Sequence, residues 1–114
     1  MITVKGFEDK MIANNIEPLE PTHPGKILKE EIEYRGISQK KFSEQTGIPY
    51  TSLNEVLHGK RAISTEYALL IEAVLGIESS FWLKMQSEYN MITAKRNPSF
   101  LEKLKNVRRI AAIL

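Results

Sequence analysis

The sequence predicts an all-α protein, in which an N-terminal arm is followed by a domain of five short helices and one extra C-terminal helix. Apolar residues recur at helical spacing along most of the 114 residues, and no segment shows the alternation of a strand. Gly, Pro and Ser interrupt that pattern at short intervals, which favours several short helices over a few long ones. We assign the arm to 1–22, the domain to 23–95 and the last helix to 96–114.

The N-terminal arm contains a short amphipathic segment. Its apolar residues fall on one face of a helix, and the prolines between positions 18 and 24 prevent that helix from continuing. Because the segment has no core of its own, it must pack on the domain, dock on a partner or stay mobile. These apolar residues are Phe7, Met11, Ile12 and Ile16.

The first helix of the domain is predicted to begin at Pro24 and to run to Arg35. Proline suits the first helical position, where its missing N–H needs no partner, and Gly36 suits the end of a helix. His23 is then a helix-start residue. The buried stripe of this helix is predicted to be Ile27, Leu28 and Ile32.

The next two helices are predicted at about 38–46 and 49–58, with a tight turn at Gly47 between them. Ser38 is a favourable N-cap, and Pro49 falls in the first turn of the second helix. This arrangement is typical of a helix-turn-helix that reads DNA, although an ordinary helical hairpin in a small bundle has the same outline. The residues that the second helix turns inward are Leu53, Val56 and Leu57.

Three further helices complete the chain. Ser64 is predicted to cap the fourth, and the fifth begins at Ser79 or Ser80. A sixth begins near Asn97, Pro98 and Ser99, where Ser99 and Glu102 also have the spacing of a capping box. The apolar residues of the fourth helix are Ala68, Leu69, Ile71, Val74 and Leu75.

Composition and motifs exclude several classes of function. The absence of Cys excludes disulfides and thiol catalysis, and no apolar run approaches the length that spans a membrane. The zinc-protease helix and the nucleotide-binding loop are both missing, while His23 and His58 each lack a second ligand at metal-binding spacing. We expect a cytoplasmic protein that is not an enzyme, with no catalytic or metal-binding residue, no cofactor and no membrane partner.

Basic residues are unevenly distributed. The formal net charge is only +2, but residues 76–114 hold seven Lys or Arg and three Asp or Glu. Lys60 and Arg61 form a second basic site directly after the second helix of the helix-turn-helix. A local basic patch can bind phosphates even when the total charge is small. A solvated charged face explains the C-terminal residues equally well.

A family resemblance rests on three ordered blocks of sequence: HPGKIL at 23–28, SQKKFSEQTGIPYTSLNEVLHGKRAIS at 38–64 and FWLKMQSEY at 81–89. Through these blocks the domain resembles the HigA-type antitoxins, a branch of the phage-repressor-like (XRE) helix-turn-helix family. One departure is Lys26, where a Glu is common in that family. The arm and the C-terminal helix lie outside the resemblance.

The resemblance implies a function as well as a fold. It implies a cytoplasmic bacterial antitoxin that binds double-stranded DNA at a palindromic operator as a homodimer. Such a protein represses its own toxin–antitoxin operon and neutralises a RelE-like ribonuclease toxin. The alternative is a stand-alone or prophage repressor that has no toxin partner.

In the helix-turn-helix geometry the second helix lies in the major groove, with its first residues nearest the bases. Asn54 can pair with adenine and Glu55 can accept from cytosine, while Lys60 and Arg61 suit phosphates. Glu55 has an alternative role as an ion-pair partner of Lys60 or Arg61, and Ser52 can simply face its own helix turn. The predicted DNA-binding residues are Gln39, Tyr50, Thr51, Ser52, Asn54, Glu55, Lys60 and Arg61.

An aromatic-rich stripe on the fifth helix is predicted to be partly core and partly dimer interface, since two half-sites need two copies of the domain. The C-terminal helix carries a seam of apolar residues at steps of four and three from Phe100 to Leu114. That seam either folds back on its own domain or meets a second copy. The predicted interface residues of the fifth helix are Phe81, Trp82, Met85 and Tyr89.

Overall fold

The computed structural model of the protein describes residues 20–113, and within that range it contains six helices and no strand. The all-helical architecture confirms the predicted fold class. The amphipathic segment predicted in the arm lies outside the described residues, and the boundaries between arm, domain and tail stay predictions. The helices are α1 (Pro24–Tyr34), α2 (Gln39–Thr46), α3 (Tyr50–Leu57), α4 (Thr65–Leu75), α5 (Ser79–Lys95) and α6 (Pro98–Ile113).

Two helices begin at the serine caps that the sequence predicts. Ser38 Oγ accepts a hydrogen bond from the backbone N–H of Lys41 at 3.0 Å, at the start of α2. Ser64 Oγ accepts in the same way from the N–H of Tyr67 at 3.1 Å, at the start of α4. Each bond satisfies an N–H that the first helical turn leaves without a partner inside the helix.

One other helix start differs from the prediction, and one agrees with it. Pro49 precedes α3 as its N-cap residue and does not lie in its first turn. α6 begins at Pro98, within the predicted start, and Asn97 caps it, because Asn97 Oδ1 accepts from the N–H of Phe100 at 3.0 Å. With Asn97 as cap, Pro98 takes the first helical position, which its missing N–H suits, and Ser99 lies inside the first turn.

The core lies where α1, α2 and α3 meet α4 and α5. α4 packs on α5 and α2, while α1 packs on α3 and α5. Ile27 of the predicted α1 stripe is only half-buried, and Leu69 of α4 is 52% exposed because it faces away from the core. The buried apolar residues are Leu28, Ile32, Phe42, Ile48, Leu53, Val56, Leu57, Ile63, Ala68, Ile71, Leu75 and Trp82.

Gly25 sets the approach of α1 to α3. A Cβ atom built on Gly25 would lie 1.7 Å from the backbone oxygen of Val56, far inside van der Waals contact. The two helix backbones can approach this closely because Gly25 has no side chain. The HPG sequence at the start of α1 therefore fixes the position of α3.

α6 extends away from the core. None of its residues up to Ile113 is buried, and Leu104 is half-buried. Phe100 is 42% and Val107 is 53% exposed, so the described part of the predicted apolar seam does not fold back into the core of its own domain. Leu114, the last predicted residue of the seam, lies outside the described residues.

Candidate nucleic-acid interface

α3 turns its apolar side chains into the core and its polar side chains toward the surface, as the sequence predicts. Leu53, Val56 and Leu57 are each at most 2% exposed. In the first turn of the helix Tyr50 is 52% exposed and Thr51 is exposed as well. The side chains in the first turn of α3 are therefore accessible to a ligand as large as duplex DNA.

The turn between α2 and α3 is fixed by two hydroxyl groups. Ser43 Oγ donates to the backbone oxygen of Ile48 at 2.6 Å. Thr46 Oγ1 donates to the backbone oxygen of Phe42 at 2.8 Å and accepts from the N–H of Ile48 at 3.2 Å. Gly47, between Thr46 and Ile48, has a φ of 77°, a left-handed conformation that favours glycine. These bonds and the glycine together hold the angle at which α3 leaves α2.

The structure brings together two predicted DNA-binding residues from different helices. Asn54 Nδ2 of α3 lies 3.5 Å from Gln39 Oε1, the first residue of α2. Gln39 Nε2 is buried and has no hydrogen-bond partner in the described part of the chain. Gln39 also lies in the first turn of α2, where backbone N–H groups favour an anion. The two amides thus form one polar site beside the exposed start of α3.

Glu55 and Arg61 form an ion pair at the end of α3. Arg61 Nε donates to Glu55 Oε1 at 2.8 Å, and Arg61 Nη2 lies 2.7 Å from the same oxygen. The structure therefore shows the alternative role predicted for Glu55, that of an ion-pair partner. Both side chains are partly exposed, at 41% and 49%, so the pair adds little stability but orients the guanidinium. Lys60 is exposed beside it.

Ser52 is half-buried in α3, two residues after Tyr50, and its exposed surface is smaller than that of Thr51. His58, predicted as a helix-end residue, is the C-cap of α3, and its ring Nδ1 lies 2.8 Å from the backbone oxygen of Asn54. All eight predicted DNA-binding residues lie on α2, on α3 or in the loop after α3.

His23 lies at the start of α1, close to Gly59 in the loop after α3. It is 4% exposed, and its Nδ1 accepts a hydrogen bond from the N–H of Gly25 at 2.9 Å, which confirms it as a helix-start residue. Its ring meets that of Tyr89 edge-on, with 4.8 Å between the centroids. Burial and the nearby charge of Lys26 lower the pKa of His23 below its ordinary value of 6.5.

Gln86 is a residue that the sequence analysis missed. It is 6% exposed, and its side chain bonds the loop that leads from α3 to α4. Its position four residues after Trp82 was the available signal, because that spacing puts both residues on the same inward face of a helix. A polar residue at a buried position needs hydrogen-bond partners, and their identity is decided by the fold.

The predicted dimer interface on α5 is only partly at the surface. Trp82 is wrong as an interface residue, because it is fully buried in the core of its own chain. Phe81 is 42% exposed, and Met85 and Tyr89 are half-buried along a surface groove that Ile92 also lines. These three residues remain predicted interface residues.

Residues 20–113 hold neither a candidate metal-binding cluster nor a helix that could span a membrane. In that range no group of three or more His, Cys, Asp or Glu side chains is arranged to hold a metal ion. None of the helices described there is both long enough and apolar enough to cross a membrane.

Comparison with known proteins places this geometry among DNA-binding regulators. A family model described as Helix-turn-helix matches residues 28–82. Virulence-associated protein A of Dichelobacter nodosus is 34% identical over 90 residues, which cover 77% of this chain and 86% of that protein.

Solved structures give the same result. A HigA-family addiction module antidote protein from Coxiella burnetii has a TM-score of 0.69 and 28% identity, covering 77% of this chain and 95% of that one. The antitoxin HigA of Pseudomonas aeruginosa, solved with the higBA promoter, has a TM-score of 0.64 and 25% identity. That match covers 83% of this chain and 96% of the other.

Proposed function

The chain belongs to the XRE-type helix-turn-helix family, and from this premise we propose that it is an antitoxin that represses its own toxin–antitoxin operon. The observation that carries the DNA-binding part is the exposed, polar start of α3. α2, the turn and the core hold that start rigidly, and exposed basic side chains follow directly after the helix. A rigid reading surface beside cations is what sequence-specific DNA binding needs.

Within this surface we assign two kinds of contact. Thr51 and Asn54 read base edges, the first through its hydroxyl and methyl groups and the second through its amide. Gln39 shares the site of Asn54 and contacts a phosphate or a base, and Tyr50 contacts a thymine methyl or a phosphate. Ser52 has a lesser share because it is half-buried.

The remaining assignments concern the end of α3. Lys60 and Arg61 contact phosphates and set the register of the protein on the duplex. Glu55 orients Arg61 through their ion pair in the free protein. Its carboxylate becomes an acceptor for cytosine only if binding separates that pair.

Footprinting with matched variants tests the assignment of α3. The double variant Thr51→Ala, Asn54→Ala should lose about 1–3 kcal/mol per good base contact and relax the sequence preference at those positions. Ser87→Ala removes a similarly exposed hydroxyl from α5, on the face opposite to Phe81 and Met85, and should change neither affinity nor preference. An unchanged operator preference in the double variant would rule out α3 as the helix that reads bases.

The operator is proposed to be a palindrome bound by a homodimer. Two copies of α3 then enter half-sites about one helical turn apart, ~34 Å. The partly exposed stripe of Phe81, Met85 and Tyr89 supports a contact between copies on α5. Sedimentation of the free protein and footprint spacing on the operator measure the two parts of this proposal separately.

The toxin partner is proposed to be a RelE-like ribonuclease. Support comes from the resemblance to HigA-type antitoxins and from structural neighbours that are themselves called antidote or antitoxin. A short basic reading frame beside this one, whose product co-purifies with the chain, is the expected finding. If no neighbouring product binds while the operator still does, the protein is instead a stand-alone repressor.

A further inference from the structure

Gln86 is a buried amide with partners on both of its polar atoms. Its Oε1 accepts from the backbone N–H of Ile63 at 2.9 Å, across 23 positions of the sequence. Its Nε2 donates to Asn90 Oδ1, one turn further along α5, at 3.0 Å. Because an amide loses favourable hydration when it is buried, this pair of bonds is what makes its place in the core tolerable.

The N–H of Ile63 lies in the α3–α4 loop, residues 58–64, which also carries Lys60 and Arg61. The start of this loop is tied back to α3, through the bond from the N–H of Lys60 to the backbone oxygen of Glu55 at 2.8 Å. The side chain of Ile63 is buried in the core, at 2% exposure. The bond to Gln86 therefore ties the far side of the loop to α5, two residues after Arg61.

We propose that Gln86 is a positioning residue for DNA binding, which acts through Ile63 to hold Lys60 and Arg61 where they meet phosphates. The proposal rests on the function given above, in which these two cations contact the DNA backbone. A charge-assisted hydrogen bond needs its two atoms about 2.7–2.9 Å apart. A loop that shifts by an ångström loses that contact even when both cations are present.

The N–H of Ile63 determines which way the amide of Gln86 points. The two ends of an amide are nearly equal in shape, so its orientation follows from its partners. Because a backbone N–H can only donate, it selects Oε1 and leaves Nε2 to donate to Asn90. Asn90 is exposed on α5 and adds a second bond that holds this orientation.

The test measures affinity against salt concentration, because each phosphate contact adds about −0.9 to the slope of log affinity on log salt. The probe is a duplex that the wild-type protein has selected from a random-sequence pool. Lys60→Ala and Arg61→Ala serve as benchmarks, each expected to flatten the slope by about two, because both copies of the proposed homodimer carry the change. Gln86→Leu keeps both cations, and we expect it to flatten the slope by between about two and four. We also expect it to weaken binding about tenfold or more, since hydrogen bonds to charged groups are lost.

Two controls separate positioning from a general loss of stability. Gln86→Glu keeps an oxygen that accepts from the N–H of Ile63, and should restore most of the wild-type slope. Leu75→Ala opens the core at the other end of α4 and should lower the melting temperature while leaving the slope unchanged. All titrations are made well below the melting temperature of the least stable variant.

The outcomes are distinct. The inference is overturned, and the proposed function stands, if Lys60→Ala and Arg61→Ala flatten the slope but Gln86→Leu does not. The same conclusion follows if Gln86→Leu flattens the slope and Gln86→Glu fails to restore it. If Lys60→Ala and Arg61→Ala leave the slope unchanged, the phosphate contacts of the proposed function are wrong and the inference falls with them. Should Gln86→Leu not fold, Gln86→Met decides, because it keeps the length of the side chain but lacks the acceptor oxygen: a flattened slope supports the inference, and a wild-type slope overturns it.

Discussion

At the level of single residues, Gly25 determines how closely α1 approaches α3. Gly25→Ala would place a methyl group against the backbone oxygen of Val56, and backbone cannot move aside as a flexible side chain can. We expect a loss of about 1–3 kcal/mol in the free energy of unfolding, the usual cost of overpacking. Lys26→Ala, an exposed change in the same helical turn, is the control. Equal stability of the two variants in urea unfolding would show that α1 and α3 are not in this contact.

His23 makes stability depend on pH. Its pKa is lowered in the folded protein, first by burial and then by Lys26, so the unfolded chain binds the proton more readily. Stability is then complete above the ordinary value of 6.5 and falls as the pH decreases below it, until the folded pKa is reached. His23→Asn keeps a capping acceptor for Gly25 but does not titrate, and should remove this part of the pH dependence. The measurement is urea unfolding at a series of pH values, and parallel curves for both proteins would contradict it.

Single residues also show what the sequence can and cannot predict. Ser38 and Ser64 were predictable as caps, because capping is a contact within one helical turn. The pairing of Glu55 with Arg61 was one of two local alternatives. Gln86 was not predictable as a loop support, since its partner Ile63 is 23 positions away and only the packing of α5 brings them together. Trp82 was wrongly predicted as an interface residue for a related reason, because periodicity identifies an aromatic stripe but not which of its residues pack in the core.

At the level of elements, α2 and α3 follow from the sequence almost completely. Their caps, the glycine turn and the inward apolar positions are all local signals, and they agree with one another. The helix boundaries are predicted less exactly, as Pro49 shows, because several neighbouring residues can each begin a helix. The angle between α2 and α3 is set by the bonds of Ser43 and Thr46, which no periodicity reveals.

α6 is the element whose removal should leave the domain folded. None of its described residues is buried, so its contacts contribute little to the core. A chain that ends at Asn97 should keep the melting temperature of the full chain within a few degrees and should self-associate less. The weaker association is expected because the apolar seam of α6 is unpartnered within its own domain and suits a second helix. Sedimentation velocity on both chains measures this, and an undiminished dimer would assign the seam to another role.

At the level of the whole molecule, the proposed DNA-reading surface and the exposed apolar side chains of α6 lie on different helices. The helix-turn-helix surface is polar and serves DNA in the proposed function. The exposed apolar side chains of α6 lie on a helix that also carries Lys103, Lys105, Arg108 and Arg109. A protein that must bind DNA and a toxin at once needs separate surfaces for them. The chain offers two candidates outside α3, the arm over 1–17 and the tail over 98–114.

We predict that one of these two segments holds the toxin, because amphipathic segments without a core of their own commonly add to a partner's groove. Co-purification with the product of the neighbouring reading frame tests this on three chains: the full chain, one that starts at Pro21 and one that ends at Asn97. Loss of the toxin from the chain that starts at Pro21 assigns the contact to the arm, and loss from the chain that ends at Asn97 assigns it to α6. Operator binding by the same chains is the control. It should survive loss of the arm because the first described helix starts at Pro24, and loss of α6 should weaken it only as far as the dimer is weakened, because α6 buries nothing in the core. If both shortened chains hold the toxin as tightly as the full chain does, its contact lies on α1, α4 or α5, and the separation of surfaces proposed here is wrong.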